Sequence, residues 1–185
     1  MSKEIEIVLP DGSKQEVVKD TTLFEIKKQF MKQAIVGSID GELVDLATPI
    51  DHNVEIVFYD QASKEGQTAI NQLVSLLLEE AVKELYPEVL FAHPQREDKK
   101  IWLDMRVDQP LSALVLKDLE HHMRKRIKKG IHIESLHISV AEAKEIFKDN
   151  ELKLAALSQL DPQQLVFVYS LGEVSEFFLE PAALE

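Results

Sequence analysis

The chain has 185 residues, with 21 basic and 33 acidic side chains, six histidines, no cysteine and 45% hydrophobic residues, a composition of ordinary globular domains and not of collagenous or low-complexity chains. Without cysteine there is no disulfide framework, thiol nucleophile, iron–sulfur cluster or Cys-type zinc site, and a cytoplasmic location is the default expectation. A formal charge of −12 repels polyphosphate over most of the surface, and no apolar run approaches the roughly 18 to 20 residues that cross a bilayer, so neither general nucleic-acid binding nor a membrane partner is expected.

Ile5, Ile7 and Leu9 alternate with their neighbours and run into Pro10-Asp11-Gly12-Ser13, which reads as a strand entering a hairpin. Val17 and Val18 suit the return strand. Asp20-Thr21-Thr22 then offers an N-cap for a helix carrying Leu23, Ile26, Phe30 and Ala34 on one face. Ile35 to Ile39 is a short β-branched run, Asp40-Gly41 is a hairpin dipeptide of the type I′ kind, and Val54 to Phe58 reads as another strand. Four short strands and one helix in this order predict a mixed sheet crossed by a helix, a β-grasp arrangement resembling ubiquitin.

Tyr59 to Gly66 is polar and ends in glycine, which marks a boundary. From Thr68 to Leu85 the apolar positions Ile70, Leu73, Val74, Leu77, Leu78, Ala81, Val82 and Leu85 keep a period near 3.6, so a helix is predicted there, with Pro87 just past its end. Gln95 to Lys100 reads as a charged loop and Ile101 to Val107 as a strand. Pro110 opens a second long helix whose buried stripe is expected to be Leu114, Leu116, Leu119, Met123 and Ile127, with Gly130 ending it in the left-handed conformation. Ile131 to Ser139 alternates as a strand. Ser139-Val140-Ala141-Glu142 has capping-box spacing for a helix ending near Asn150, a short helix follows over 151–160, and Leu165 to Tyr169 and Val174 to Leu179 read as two strands joined at Ser170-Leu171-Gly172. The fold class expected is α+β.

Six glycines leave no phosphate loop and no Gly-x-Gly-x-x-Gly turn, so no nucleotide cofactor is expected in these residues. His121 and His122 are adjacent on a helix and point about 100° apart, which does not make a metal pair. His132 and His137 have opposite strand parity, predicting one core-side and one solvent-side ring, and His52 and His93 fall in loops without partners. No metal site is expected. Arg124, Lys125, Arg126, Lys128 and Lys129 form the one basic cluster. Arg124, Lys125, Lys128 and Lys129 could touch RNA phosphates, but a solvated helix C-terminus favoured by the macrodipole explains the cluster as well, and RNA binding is expected to be weak or absent.

Residues 4–58, through Ile-Val-Leu-Pro-Asp-Gly-Ser (7–13), Thr-Thr-Leu-Phe-Glu-Ile (21–26), Gly-Ser-Ile-Asp-Gly-Glu-Leu-Val-Asp-Leu (37–46) and Val-Glu-Ile-Val (54–57), resemble a TGS domain. Residues 66–182 resemble the second domain that follows TGS in threonyl-tRNA synthetase, through Glu-Ala-Val-Lys-Glu-Leu-Tyr-Pro (80–87), Asp104, Asp118-Leu119-Glu120-His121-His122-Met123, Glu142 to Phe147, Lys153-Leu154 and Val168 to Gly172. The resemblance implies a β-grasp TGS domain over 1–60, a linker over 61–67 and an editing-type α+β domain over 68–183.

In that family the second domain hydrolyses tRNA mischarged with serine, using an H-x-x-x-H pair and a D-x-C-x-x-x-H segment. The matching positions here are Asn71 and Ser75, then Glu176, Phe178 and Ala182. The imidazoles and thiol are absent, while Asp104 and Lys153 are kept, so no catalytic residue is assigned. Asn71, Ser75, Asp104, Lys153, Glu176 and Phe178 are expected to outline a vestigial cleft. Uridine kinase-like bacterial nucleoside kinases carry the same two domains without the editing residues, and Tyr169 to Gly172 with Phe177 to Pro181 is similar to their form, although Glu180 stands where both families have glycine. The expectation is therefore a non-catalytic N-terminal accessory or regulatory module, partnered by a C-terminal catalytic domain of a nucleoside kinase in the same polypeptide. The alternative is the TGS and editing-type region of a threonyl-tRNA synthetase.

Overall fold

A computed structural model describes residues 4–97 and 100–185, which divide into two compact units. One comprises the described residues up to Gln72 together with Glu180–Glu185, and the other is Leu73–Leu179.

In the first unit, β1 (Glu4–Val8) pairs antiparallel with β2 (Lys14–Val18), α1 (Leu23–Phe30) follows, and β3 (Val36–Ile39), β4 (Glu42–Val44) and β5 (Val54–Tyr59) complete a mixed sheet in the order β2-β1-β5-β3-β4. The pairing of β1 with β5 is parallel, as a β-grasp requires. Alternation places Ile5, Ile7, Val54, Ile56 and Phe58 on the face that meets Leu23 and Ile26 of α1, and all are buried. Thr22 caps α1 through a full capping box with Glu25. The hairpin dipeptide takes positive φ at both Asp40 (49°) and Gly41 (86°), the type I′ geometry. Five strands form, one more than expected, because three residues after that turn pair with β3.

The long helix α2 runs over Lys64–Leu85, four residues earlier than the expected start at Thr68. Asp60 and Ser63 make this possible. Ser63 Oγ donates to Asp60 O at 2.7 Å and accepts from Gly66 N at 3.0 Å, so the first turn is anchored before the apolar periodicity begins. Gly66 permits the approach, since a Cβ there would lie 1.9 Å from Asp60 O.

In the second unit, β6 (Leu90–Phe91) pairs with β9 (Met105–Arg106), and β7 (Gln95–Glu97) with β8 (Lys100–Trp102). The single strand expected over 101–107 is thus broken at Leu103-Asp104, and part of the expected charged loop is strand; residues 98 and 99 lie outside the described residues. α3 (Ala113–Lys129) is capped by Ser112. The stripe expected on α3 needs correction: Leu119 is buried and Met123 half-buried, but Leu114, Leu116 and Ile127 are 75%, 59% and 53% exposed. At about 100° per residue, Leu114 lies about 140° around the helix from Leu119, so both cannot face one core. Gly130 has φ 90° and ψ 139°, which is positive φ but not the left-handed helical turn expected.

β10 (Glu134–Ser139), β11 (Leu165–Leu171) and β12 (Val174–Phe178) form an antiparallel sheet in that order. Ser139 and Glu142 make the expected capping box, but α4 spans only Val140–Ile146; Asn150 opens α5 (Glu151–Leu157). Val140, Ala143, Phe147 and Leu157 from the two helices pack on Val166, Val168 and Phe177 of the sheet. His132 and His137 are both exposed, contrary to the parity reading, because β10 begins only at Glu134; His137 lies flat on Phe167 at 4.1 Å.

Candidate functional site

The second unit buries three polar side chains that meet one another, Glu79, Lys153 and Glu176. Asn150 starts the assembly: its Oδ1 accepts from Leu152 N and Lys153 N at 3.1 and 3.0 Å, while its Nδ2 donates to Phe91 O at 3.0 Å. This cap fixes Lys153 in the first turn of α5. The Lys153 ammonium donates to Glu79 Oε2 of α2 at 2.8 Å and to Ser175 O at 2.7 Å, and lies 2.8 Å from Glu176 Oε2 of β12. Both carboxyl groups are 0% exposed and the lysine 2%. Three oxygens therefore surround an ammonium that has three N–H donors.

Glu176 is held from its other side. Its Oε1 accepts from Phe177 N at 2.8 Å and from His93 Nδ1 at 2.9 Å, and the His93 ring stacks on Phe177 at 4.1 Å. The imidazole is 27% exposed, and its Nε2 has no partner among the described residues. A histidine read as an unpartnered loop residue is thus oriented by a buried carboxylate.

The protonation pattern follows from burial and charge. Burial pushes Glu79 well above the ordinary carboxylate range, the Glu176 charge adds to this, and Lys153 opposes it. Burial also works against ionisation of Glu176, but the His93 hydrogen bond and the Lys153 charge outweigh it and hold this carboxyl below its usual value. Burial opposes the charge on Lys153 too, yet the Glu176 and Glu79 charges raise it. Of the two carboxyl groups Glu79 is therefore the one pushed toward its protonated form, in which it can donate to Glu176. Its Oε1 has no hydrogen-bond partner among the described residues. With a proton on Glu79, one cation and one anion would cancel, the arrangement in which burial costs least.

The other expected residues are distributed differently. Asp104 is exposed and its carboxylate touches no described residue; only its carbonyl is used, accepting from Ala92 N at 2.9 Å. It does not join Lys153, contrary to the expected cleft, because it sits at the break between β8 and β9. Phe178 is buried, 6.1 Å from the His93 ring. Asn71 is half-buried and Ser75 buried, one turn apart on α2, and Ala182 is buried in the first unit. A cleft of about 280 Å³ opens beside the cluster, lined by Glu79, Phe91, Phe147, Asn150, Lys153 and Ser175 among others.

On α3, Arg124 bonds Glu120 at 2.8 Å and Arg126 contacts Glu80 at 3.1 Å. Lys125, Lys128 and Lys129 are exposed. Lys125 and Lys129 border a polar cavity of about 280 Å³ with Glu80, Glu84, His122 and Arg126. Among the described residues no group of three or more His, Asp or Glu could hold a metal ion, and no helix is long and apolar enough to cross a membrane.

No family model matches the chain. It is 31% identical over 179 residues to threonine–tRNA ligase 2 of Bacillus subtilis, covering 94% of this chain and 28% of that protein. Over 183 residues it is 32% identical to a threonine–tRNA ligase of Clostridium perfringens, covering 96% and 28%. A threonine–tRNA ligase of Staphylococcus aureus is 28% identical over 178 residues. The chain is homologous to the N-terminal part of threonine–tRNA ligases. It spans about 28% of the length of these ligases, and the α+β architecture with its β-grasp sheet agrees with that relation. The nucleoside kinase parent expected from Phe177 to Pro181 finds no support among these relatives, all of which are ligases.

Proposed function

We propose that this chain is the accessory N-terminal region of a threonine–tRNA ligase-like polypeptide, and that its second unit keeps the frame of an editing domain without hydrolysing aminoacyl esters. The observation that carries this reading is the enclosure of Lys153: its ammonium is buried, hydrogen-bonds Glu79 Oε2 and Ser175 O, and lies 2.8 Å from Glu176 Oε2, so the fold's own oxygens occupy its surroundings. Of the five positions of the hydrolytic motif, Asn71, Ser75, Phe178 and Ala182 take no proton from water near neutral pH, and the fifth, Glu176, is buried against Lys153 and His93. Incubating the full chain with threonine-specific tRNA charged with serine, at pH 6 to 8, is expected to release serine at the rate of buffer alone. Release proportional to protein concentration overturns the proposal.

A second reading rests on His93. An imidazole whose Nδ1 is held by a buried carboxylate, and whose Nε2 is unpartnered, has the orientation of a general base. If the chain does hydrolyse the ester, His93→Ala is expected to lower the rate by about 10²- to 10⁴-fold, the usual contribution of such a group. A rate that survives His93→Ala refutes this second reading as well.

A further inference from the structure

We propose that the free edge of β2, with the groove between it and α1, receives an extended, aliphatic and basic segment of another protein as a sixth strand of the first unit's sheet. β2 is the outermost strand of that sheet, so one side of its backbone presents N–H and C=O groups with no neighbouring strand among the described residues, the arrangement that strand addition uses. Beside this edge lies a groove of about 220 Å³ bordered by Val17, Ile26 and Phe30, with Phe30 and Val18 exposed. The pleat supplies the two faces. Val17 pairs with Ile5 on the helix side, whereas Val18 pairs with Glu4 and Glu16 with Glu6 on the open side, so an added strand meets apolar residues on one face and carboxylates on the other.

Charge identifies the occupant. Glu16 and Glu6 stand directly opposite each other, a like-charge pair that destabilises a sheet. Lys14 bonds only Glu6, at 2.9 Å, which leaves Glu16 with no cation among the described residues. The groove is lined by Glu16 and Glu25 and by no lysine or arginine. A Lys or Arg in the incoming strand beside Glu16 supplies the missing partner. A second copy of the chain is disfavoured, because each carries a charge of −12 and a two-fold pairing of β2 centred on Glu16 sets Glu16 against Glu16.

The test uses the full chain, isotopically labelled, titrated with a capped heptapeptide of alternating lysine and valine and followed by backbone amide shifts. Saturable shifts concentrated in residues 14–18 and along α1, persisting at about 0.15 M salt, are expected, with no such shifts from the glutamate–valine counterpart. Glu16→Lys, a change at an exposed position, is expected to weaken the lysine peptide on the order of threefold to tenfold and to admit the glutamate peptide. Shifts scattered over the acidic surface, an affinity unchanged in Glu16→Lys, or a dimer that already shields β2 without peptide overturns the proposal.

Discussion

Exchanging Glu79 for Gln separates a neutral carboxylic acid from an ion-pair partner. Glu79 is 0% exposed, so the change alters protonation with almost no change in volume. Its folded-state pKa is raised by burial first and by the Glu176 charge second. A raised value means that its contribution is fully present below the unfolded value of about 4.5 and is lost as pH climbs through the folded value, since the native state must retain a proton that the unfolded chain releases. Gln carries no such burden. It offers an N–H to Glu176 and an acceptor to Lys153, so below pH 4.5 the variant is expected to lie within about 1 kcal/mol of the parent, the net value of one neutral hydrogen bond. Above that pH the variant gains on the parent by about 1.4 kcal/mol per pH unit while the native carboxyl stays protonated, and at pH 7 it is expected to be the more stable protein. Lys153→Met provides the contrast: it leaves the buried Glu176 carboxylate without its ammonium, and a loss of about 3–5 kcal/mol is expected. Urea unfolding followed by circular dichroism from pH 4 to 8 gives both comparisons. If Glu79→Gln loses several kcal/mol at pH 7 and parallels the parent at every pH, Glu79 is ionised and the proton assignment fails.

At Gly66 an alanine would normally strengthen a helix by about 1 kcal/mol, but its Cβ would meet Asp60 O at 1.9 Å; Gly66→Ala is expected to lower the unfolding midpoint, and a rise would show that the first turn of α2 is not held by Asp60. On α3, Leu119→Ala is expected to cost about 2–5 kcal/mol because Leu119 is 4% exposed, while Leu114→Ala stays within about 0.5 kcal/mol at 75% exposure; equal losses in urea unfolding would restore the apolar stripe that the structure rejects.

Local chemistry was legible in the sequence. The Thr22 N-cap, the capping box of Ser139–Glu142 and the Asp40-Gly41 turn each depend on residues within three positions of one another, and each formed as read, the first with Glu25 closing a box that the reading did not include. The α3 stripe was misjudged because leucine spacing does not reveal which side of a helix finds a core: Val115, Leu119, His122, Met123 and Arg126 form the covered side, and two of these are polar. Within the buried cluster, Lys153 and Glu176 were visible through the resemblance. In the sequence Glu79 stands beside Glu80, a pattern that suits a solvated helix face, and His93 reads as a loop residue. Their partners stand 74 and 83 residues away, a separation over which periodicity and spacing carry no information. The one available signal was Glu79 falling among Leu76, Leu77, Val82 and other buried positions of α2.

The buried pairing of Lys153 with Glu176 has an energetic reason that does not require catalysis. A partly exposed catalytic side chain can be exchanged at little cost to the fold, because it is positioned for chemistry and not for burial. A member of a buried pair cannot be removed singly: the survivor is left as an uncompensated charge, at about 3–5 kcal/mol, a large part of the 5–15 kcal/mol that holds a typical domain together. A silent site, as proposed, and an intact ion pair are therefore compatible outcomes of the same physics. In this chain His93 and the Phe177 N–H hold the other oxygen of Glu176. The buried pair argues for stability; only a proton acceptor open to solvent argues for chemistry, and within this cluster His93 alone meets that condition.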